Sequence, residues 1–236
     1  MQPQYVDSIQ KHGFAIIPNV IDAPAIDALI AALERVTSDA SVRQKDNATY
    51  AIRNLLTLAP KVRALADSPQ IRALIEPILG TGAFAIRGLL FDKTPEANWK
   101  VFWHQDLTVP VREKIETPGF RNWSMKSGVQ HAEAPASILE TLLSLRLHLD
   151  DCDANNGPLH VLPGTHTLGH LNSEAIDACK AFGNPVECHV ARGGVQLLRP
   201  LLLHSSFPAK NAAHRRVIHL EFAAAPLPGE LEYWVS

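Results

Sequence analysis

Leu143-Ser144-Leu145-Arg146-Leu147-His148-Leu149 carries a leucine at every odd position and a polar residue at every even one. A period of two belongs to an extended strand, whose successive side chains point to opposite faces of a sheet. This stretch therefore has one face for a core and one polar face. Two readings of the polar face stay open at this level. It is either a solvated outer surface or the inner wall of a hollow barrel, with Arg146 and His148 lining a site.

The surrounding segments share the strand character. Downstream, residues 150–157 have turn chemistry, Leu159-His160-Val161-Leu162-Pro163-Gly164-Thr165-His166 reads as a short strand and a tight turn, and residues 173–181 as a helical piece. Further strands are expected over 186–190, 195–198, 201–204 and 215–222, and the prolines at 226 and 228 mark a tail. Upstream, residues 84–91 and 101–103 are apolar with β-branched and aromatic members, as sheet strands are. Short strands divided by glycine and proline turns predict an antiparallel sandwich or barrel.

The N-terminal part supplies helices instead. Asp22-Ala23-Pro24 starts one, with Asp22 as N-cap and a stripe of Ile26, Leu29, Ile30, Leu33 and Val36 at helical spacing. A second is expected over 59–66 and a third from Ser68-Pro69 to just before Gly80. Gly13-Phe14-Ala15-Ile16-Ile17-Pro18 reads as a short apolar strand. Residues 107–135, with prolines at 110, 118 and 135, read as a long loop placed to act as a lid. Its Phe120, Trp123, Lys126 and His131, with the adjacent Trp103, are candidates for touching a substrate.

Composition narrows the function classes. A chain of 236 residues can bury a full core, and a single domain over 1–236 is expected. A net charge of -2, with Lys and Arg spread along the chain, lacks the basic footprint of a nucleic-acid binder. No apolar run approaches the roughly 18 residues of a spanning helix, and Met1-Gln2-Pro3-Gln4 has no signal-peptide pattern, so a cytoplasmic protein without membrane association is expected. Cys152, Cys188 and Cys179 include no Cys-x-x-Cys pair and read as reduced thiols.

The eleven histidines then need sorting. In Trp103-His104-Gln105-Asp106, positions 104 and 106 share a face if extended and can grip one metal ion while Gln105 turns away. Leu201-Leu202-Leu203-His204 offers a third ligand. Two imidazoles and one carboxylate with open positions make the facial triad of non-haem Fe(II) oxygenases. His160, His166 and His170 lie close in sequence, but no second cluster completes a zinc site around them.

These residues resemble the phytanoyl-CoA dioxygenase family of Fe(II)- and 2-oxoglutarate-dependent oxygenases. The matching pieces are His104-Gln105-Asp106, the run from Asn156 through Gly157 and Pro158 to His166, His204-Ser205-Ser206, and Arg215 eleven residues after His204. The strand at Gly13 to Pro18 matches the family's opening strand. The resemblance implies a mainly β double-stranded β-helix, a cupin-like jelly-roll barrel with α-helices packed outside. It implies that His104, Asp106 and His204 hold Fe(II), that Arg215 holds the distal carboxylate of 2-oxoglutarate, that Ser206 adds a hydroxyl, and that Arg146 touches the co-substrate. Guanidinium chemistry suits that role, because its planar fork matches a carboxylate with two charge-assisted hydrogen bonds. Arg216 would point to the opposite face of the strand. The implied reaction uses O2 and releases succinate and CO2, and hydroxylation of a C–H bond is expected because related halogenases lack the carboxylate that Asp106 supplies here. A small organic metabolite or natural-product intermediate is the expected substrate. The alternative is a metal-binding jelly roll without oxygenase activity, either a Zn-dependent hydrolase or a ligand-binding protein.

Overall fold

The computed structural model describes residues 3–46, 48–210 and 214–235. Helix α1 (Gln4–His12) leads into β1 (Phe14–Ile17), α2 (Ala23–Leu33), the hairpin β2 (Val42–Lys45) and β3 (Ala48–Ile52), and then α3 (Leu55–Leu58), α4 (Pro60–Ala66) and α5 (Pro69–Leu79). Strands β4 (Phe84–Lys93), β5 (Val101–His104), β6 (Thr108–Val111), β7 (Arg121–Lys126) and β8 (Val129–Glu133) follow, then α6 (Ala136–Leu139), β9 (Leu142–His148) and β10 (Leu159–Val161). After a single 3-10 turn at Thr165–Leu168 come α7 (Ser173–Phe182), β11 (Val186–Cys188), β12 (Val195–Leu198), β13 (His204–Ser206) and β14 (Arg215–Ala223). None of the helices among the described residues is long and apolar enough to cross a membrane.

A seven-stranded sheet, ordered β1-β12-β9-β14-β4-β3-β2, faces a four-stranded sheet, ordered β11-β10-β13-β5. Together they form a mainly β, double-stranded β-helix with helices on one outer face. Every strand pairing is antiparallel, and β9 is flanked by β12 and β14. The two faces of β9 are thereby decided. Leu143, Leu145, Leu147 and Leu149 pack with Ile26, Leu29, Val62 and Ile75 of the outer helices. Ser144, Arg146 and His148 are also buried, so they point into the barrel and not to solvent. Each leucine buried this way contributes roughly 1.5–3 kcal/mol of burial energy, so a one-residue slip of β9 would forfeit the whole row.

The helices form where capping chemistry and apolar spacing agree. Asp22 accepts a hydrogen bond from the Ala25 amide at 2.9 Å, and Ser68 caps α5 by accepting from Ile71. Helix α1 was not evident in the sequence because it buries only Val6 and Ile9 on an otherwise polar segment. It stops at Gly13, whose φ of 82° lies in the left-handed region, and a Cβ there would collide with His166 and Leu202. The hairpin of β2 and β3 was missed for a similar reason, since Val42–Lys45 is largely exposed and has no alternating pattern.

Residues 107–135 are not the lid-like loop expected. They contain β6, β8 and β7, a third sheet in that order, with Val109, Val111, Phe120 and Ala132 in a second core shared with Ile86, Leu142, Leu201 and Ala223. Pro110 misled the reading. It is tolerated because β6 is the edge of this sheet, where a missing ladder donor costs little. The C-terminal tail covers that edge: Val111 bridges Tyr233, and the Trp234 amide donates to the Pro110 carbonyl at 3.1 Å. After Pro226 and Pro228, Leu231 and Tyr233 are buried. One further strand is displaced. The expected strand at 201–204 begins only at His204, because Leu202 turns back to donate to the Arg199 carbonyl after Pro200.

Candidate metal and co-substrate site

Strand pairing brings the distant histidines together. In the antiparallel register of β13 and β5, His204 lies directly opposite His104, although they are a hundred positions apart in the chain. Their rings sit 4.2 Å apart between centroids. Asp106 follows just beyond the end of β5, held by its amide donating to the Pro200 carbonyl at 2.9 Å. Its Oδ1 lies 3.7 Å from His104 Nε2 and its Oδ2 lies 3.6 Å from His204 Nε2. The ligand atoms of these three residues all fall within 4.8 Å of one another, the one such cluster among the described residues.

The donor chemistry fits a divalent cation. His104 Nδ1–H donates to the Phe102 carbonyl at 2.8 Å, and His204 Nδ1–H donates to the Leu202 carbonyl at 2.9 Å. With Nδ1 engaged, each ring turns Nε2 toward Asp106, leaving that nitrogen as the one a metal would take. Burial holds the His204 imidazole down to about 4, so it stays neutral. Burial raises the Asp106 carboxyl, but the imidazoles of His204 and His104 outweigh that and keep it well below its ordinary value. Gln105 does turn away, as its position predicted. Its Nε2 donates to the carbonyls of Gly169 and Leu201 at 2.8 Å each, and its Oε1 accepts from the Leu171 amide at 2.9 Å. One amide side chain thus ties three segments behind the site.

Two residues along β13 from His204, roughly 7 Å on a strand, stands Ser206. Lys93 Nζ donates to its hydroxyl at 2.7 Å and also to the Phe207 carbonyl. Lys93 is cross-strand partner to Arg215, the first residue of β14. Arg215 and Arg146 are buried with them, and Nε of both and Nη1 of Arg215 have no hydrogen-bond partner. Arg146 Nη1 reaches His219 Nδ1 at 3.3 Å, and among the described residues no carboxylate forms an ion pair with any of the three cations. Burying three unpaired cations is costly, and proteins tolerate it where an anionic ligand completes the balance. Burial, then the charges of Arg215 and Arg146, hold the Lys93 ammonium down to about 7.

Gly157 makes room for this cradle. Its φ is 62°, and a Cβ would come within 2.8 Å of the Phe207 carbonyl and 3.2 Å of Lys93 Nζ. Arg216 faces outward, as the strand period predicted, and pairs with Asp150 at 2.7 Å. A cavity of about 120 Å³ joins the triad to the cradle, walled by Leu89, Phe91, Trp99, Val101 and Leu159.

All six residues singled out from sequence, His104, Asp106, His204, Arg215, Arg146 and Ser206, line this one cavity. Lys93 was missed because the strand reading stopped at Phe91. Carried two residues further, the alternation Arg87, Leu89, Phe91, Lys93 puts the lysine on the inner face. Arg87 and Glu221 were also missed; they pair with each other inside the barrel, and His219 shares the Glu221 carboxylate at 3.1 Å. Of the lid aromatics, Phe120 is a core residue. His160, His166 and His170 go to separate partners, Glu187, the Gln10 carbonyl and Glu133.

The sequence model of the family described as phytanoyl-CoA dioxygenase (PhyH) matches residues 9–217. Ectoine dioxygenase of Bordetella bronchiseptica is 24% identical over 169 residues, covering 68% of this chain and 48% of that protein. The chain thus spans about half the length of the curated relatives it matches. Among solved structures, AviO1 from Streptomyces viridochromogenes superposes with a TM-score of 0.69 at 23% identity, covering 97% of this chain and 98% of that one. EctD from S. alaskensis with 2-oxoglutarate and 5-hydroxyectoine superposes with a TM-score of 0.73 at 16% identity, covering 94% and 76%.

Proposed function

The chain belongs to the phytanoyl-CoA dioxygenase family, and on that footing we propose that it is an Fe(II)- and 2-oxoglutarate-dependent dioxygenase that hydroxylates a C–H bond of a small organic molecule. One observation carries the reading above all: two imidazole Nε2 atoms and a carboxylate converge beside three buried cations that lack carboxylate partners. His104, Asp106 and His204 would hold the iron. Arg215, Lys93 and Ser206 would hold the distal carboxylate, with Arg146 adding positive charge along the cavity.

Bound together with O2, iron and 2-oxoglutarate supply oxidative decarboxylation to succinate and CO2 and the oxidation of a C–H bond. The chain's own residues do the positioning. Nδ1–H bonds to backbone carbonyls keep both imidazoles aimed, and Gln105 fixes the segments behind them. Leu89, Phe91, Val101 and Leu159 keep water from the cavity. Asp106 occupies the position that halogenases of this class leave open for chloride, which favours hydroxylation. The three-cation cradle beside the triad is what favours this reading over a Zn-dependent hydrolase or a ligand-binding protein.

Anaerobic reconstitution with Fe(II) and 2-oxoglutarate tests the proposal. A weak metal-to-ligand absorption band should form with the wild type and be lost with Arg215→Ala, and screening candidate substrates should reveal stimulated succinate release. A protein that binds Fe(II) but never develops the band refutes the co-substrate assignment.

A further inference from the structure

A second group of cations stands apart from the Lys93–Arg215 cradle, and one of them, Arg87, lines the cavity of the triad. Arg53 follows β3, Arg87 sits on the inner face of β4, and Lys126 ends β7 beside the Ser127–Gly128 turn. That turn is fastened to the β2–β3 hairpin and the residues after it: Arg43 Nη2 donates to Ser127 Oγ at 3.2 Å, and Asn54 Nδ2 donates to the Ser127 carbonyl at 3.1 Å. The carboxylates within reach are already engaged. Glu221 accepts from Arg87 and faces His219, and Asp106 is turned to the two imidazoles. Arg53 has no side-chain hydrogen bond or ion pair among the described residues, and Lys126 Nζ has only the Thr108 hydroxyl at 3.2 Å. Arg87 Nε, buried, has no partner either.

The cavity of the triad, lined by Arg87, shares an aromatic wall with the cleft lined by Arg53. Phe91 and Trp99 line both that cavity and an outer cleft of about 630 Å³, which Tyr50, Arg43 and Arg53 also line. Tyr50 and Trp99 meet edge to face, 5.8 Å between centroids. A flat or apolar body can lie against such a wall. Like charges crowd the cleft. Burial lowers the Arg53 and Lys126 pKa values, and Arg87 lowers both further. An anion arriving there relieves the repulsion.

We propose that the primary substrate is a small organic anion whose carboxylate or phosphate oxygens are received between Arg53 and Lys126, while its body lies along Tyr50, Trp99 and Phe91 and reaches toward the metal triad. Arg53 and Lys126 are then specificity-determining residues. The proposal deepens the oxygenase reading and rests on it for the direction in which the body points.

The test is calorimetric titration of the full chain with benzoate, phenyl phosphate and the neutral isostere benzamide, after N-oxalylglycine and Mn(II) have filled the inner cradle. One or both anions should bind, and benzamide should bind at least about tenfold more weakly, the usual cost of a lost hydrogen bond between charged groups. The double variant Arg53→Gln with Lys126→Gln should lose about tenfold or more for the anion, while Arg53→Lys with Lys126→Arg, which keeps both charges, restores it. Which anion binds better tells carboxylate from phosphate. Benzamide binding equal to benzoate, an unaltered affinity in the neutralised variant, or no binding of either anion overturns the proposal. Failure of the oxygenase reading is seen separately, as N-oxalylglycine that does not bind. The anion arm is then repeated with Arg215→Ala, in which the inner cradle is broken and the outer site should persist.

Discussion

Arg215→Met should separate function from stability in one variant. The side chain replaced is buried, two of its nitrogens have no partner, and its neighbours include Lys93 and Arg146. Methionine fills comparable volume without the charge, so the protein free of co-substrate should melt at the same temperature or higher, since removing an uncompensated buried charge relieves desolvation and repulsion. Binding should suffer heavily. Two charge-assisted hydrogen bonds, discounted for partial replacement by Lys93 and Ser206, contribute about 3 kcal/mol, or roughly 150-fold in affinity. N-oxalylglycine at about 100 times its wild-type Kd stabilises the fold by about 2.7 kcal/mol. At about 2–4 °C per kcal/mol for a chain of this length, the wild-type melt should rise by roughly 5–10 °C. At the same concentration the variant sits somewhat below its own Kd, gains about 0.3 kcal/mol and shifts by roughly 1 °C. Thermal melts with Mn(II), with and without N-oxalylglycine, read all four values. A variant that keeps the full ligand shift, or that melts well below the wild type without ligand, refutes the account of Arg215 as a cation held in reserve for an anion.

Lys93 gives a pH signature. Burial and Arg215 hold it down to about 7 in the fold, while an unfolded lysine keeps its proton to about 10.5. Between those values the unfolded chain binds more protons, so the co-substrate-free protein should gain stability as pH rises from about 7 toward 10.5, and Lys93→Met should flatten that rise in denaturant titrations. At about pH 8, co-substrate binding should take up a proton as the ammonium is restored, seen as buffer-dependent heats that Lys93→Met abolishes. His104→Ala and Asp106→Asn should each weaken Mn(II) binding by more than the roughly 10–100-fold cost of a lost outer-sphere partner; equilibrium dialysis measures this, and wild-type affinity in either contradicts the triad. Gln105→Ala leaves three backbone groups short of a partner and should cost about 1–3 kcal/mol, read as a lowered melting temperature, and an unchanged melt contradicts its role as a tie.

What the sequence made legible was local. The leucine alternation of β9, the Asp22 and Ser68 caps and the order of His104, Asp106, His204 and Arg215 are all carried by residues within a few positions of one another or by a motif's order. Segments whose stability comes from elsewhere were not legible. Residues 107–135 looked like a loop because Pro110 and the sparse polar strands have no pattern of their own, and their sheet is completed by a chain end more than a hundred positions downstream.

By itself the sequence determined which residue types the chain contributes and the two-faced character of its strands, since period and side-chain chemistry belong to the backbone's own geometry. Only the tertiary structure decided which way the polar face of β9 points, because nothing in an alternating strand distinguishes water from a cavity until helices cover the other side. It alone put His204 across from His104, lined up Lys93 with Arg215, and left Arg53 and Lys126 without a carboxylate partner among the described residues. Those are facts of register and closure, set when distant strands pair, and no single segment carries them.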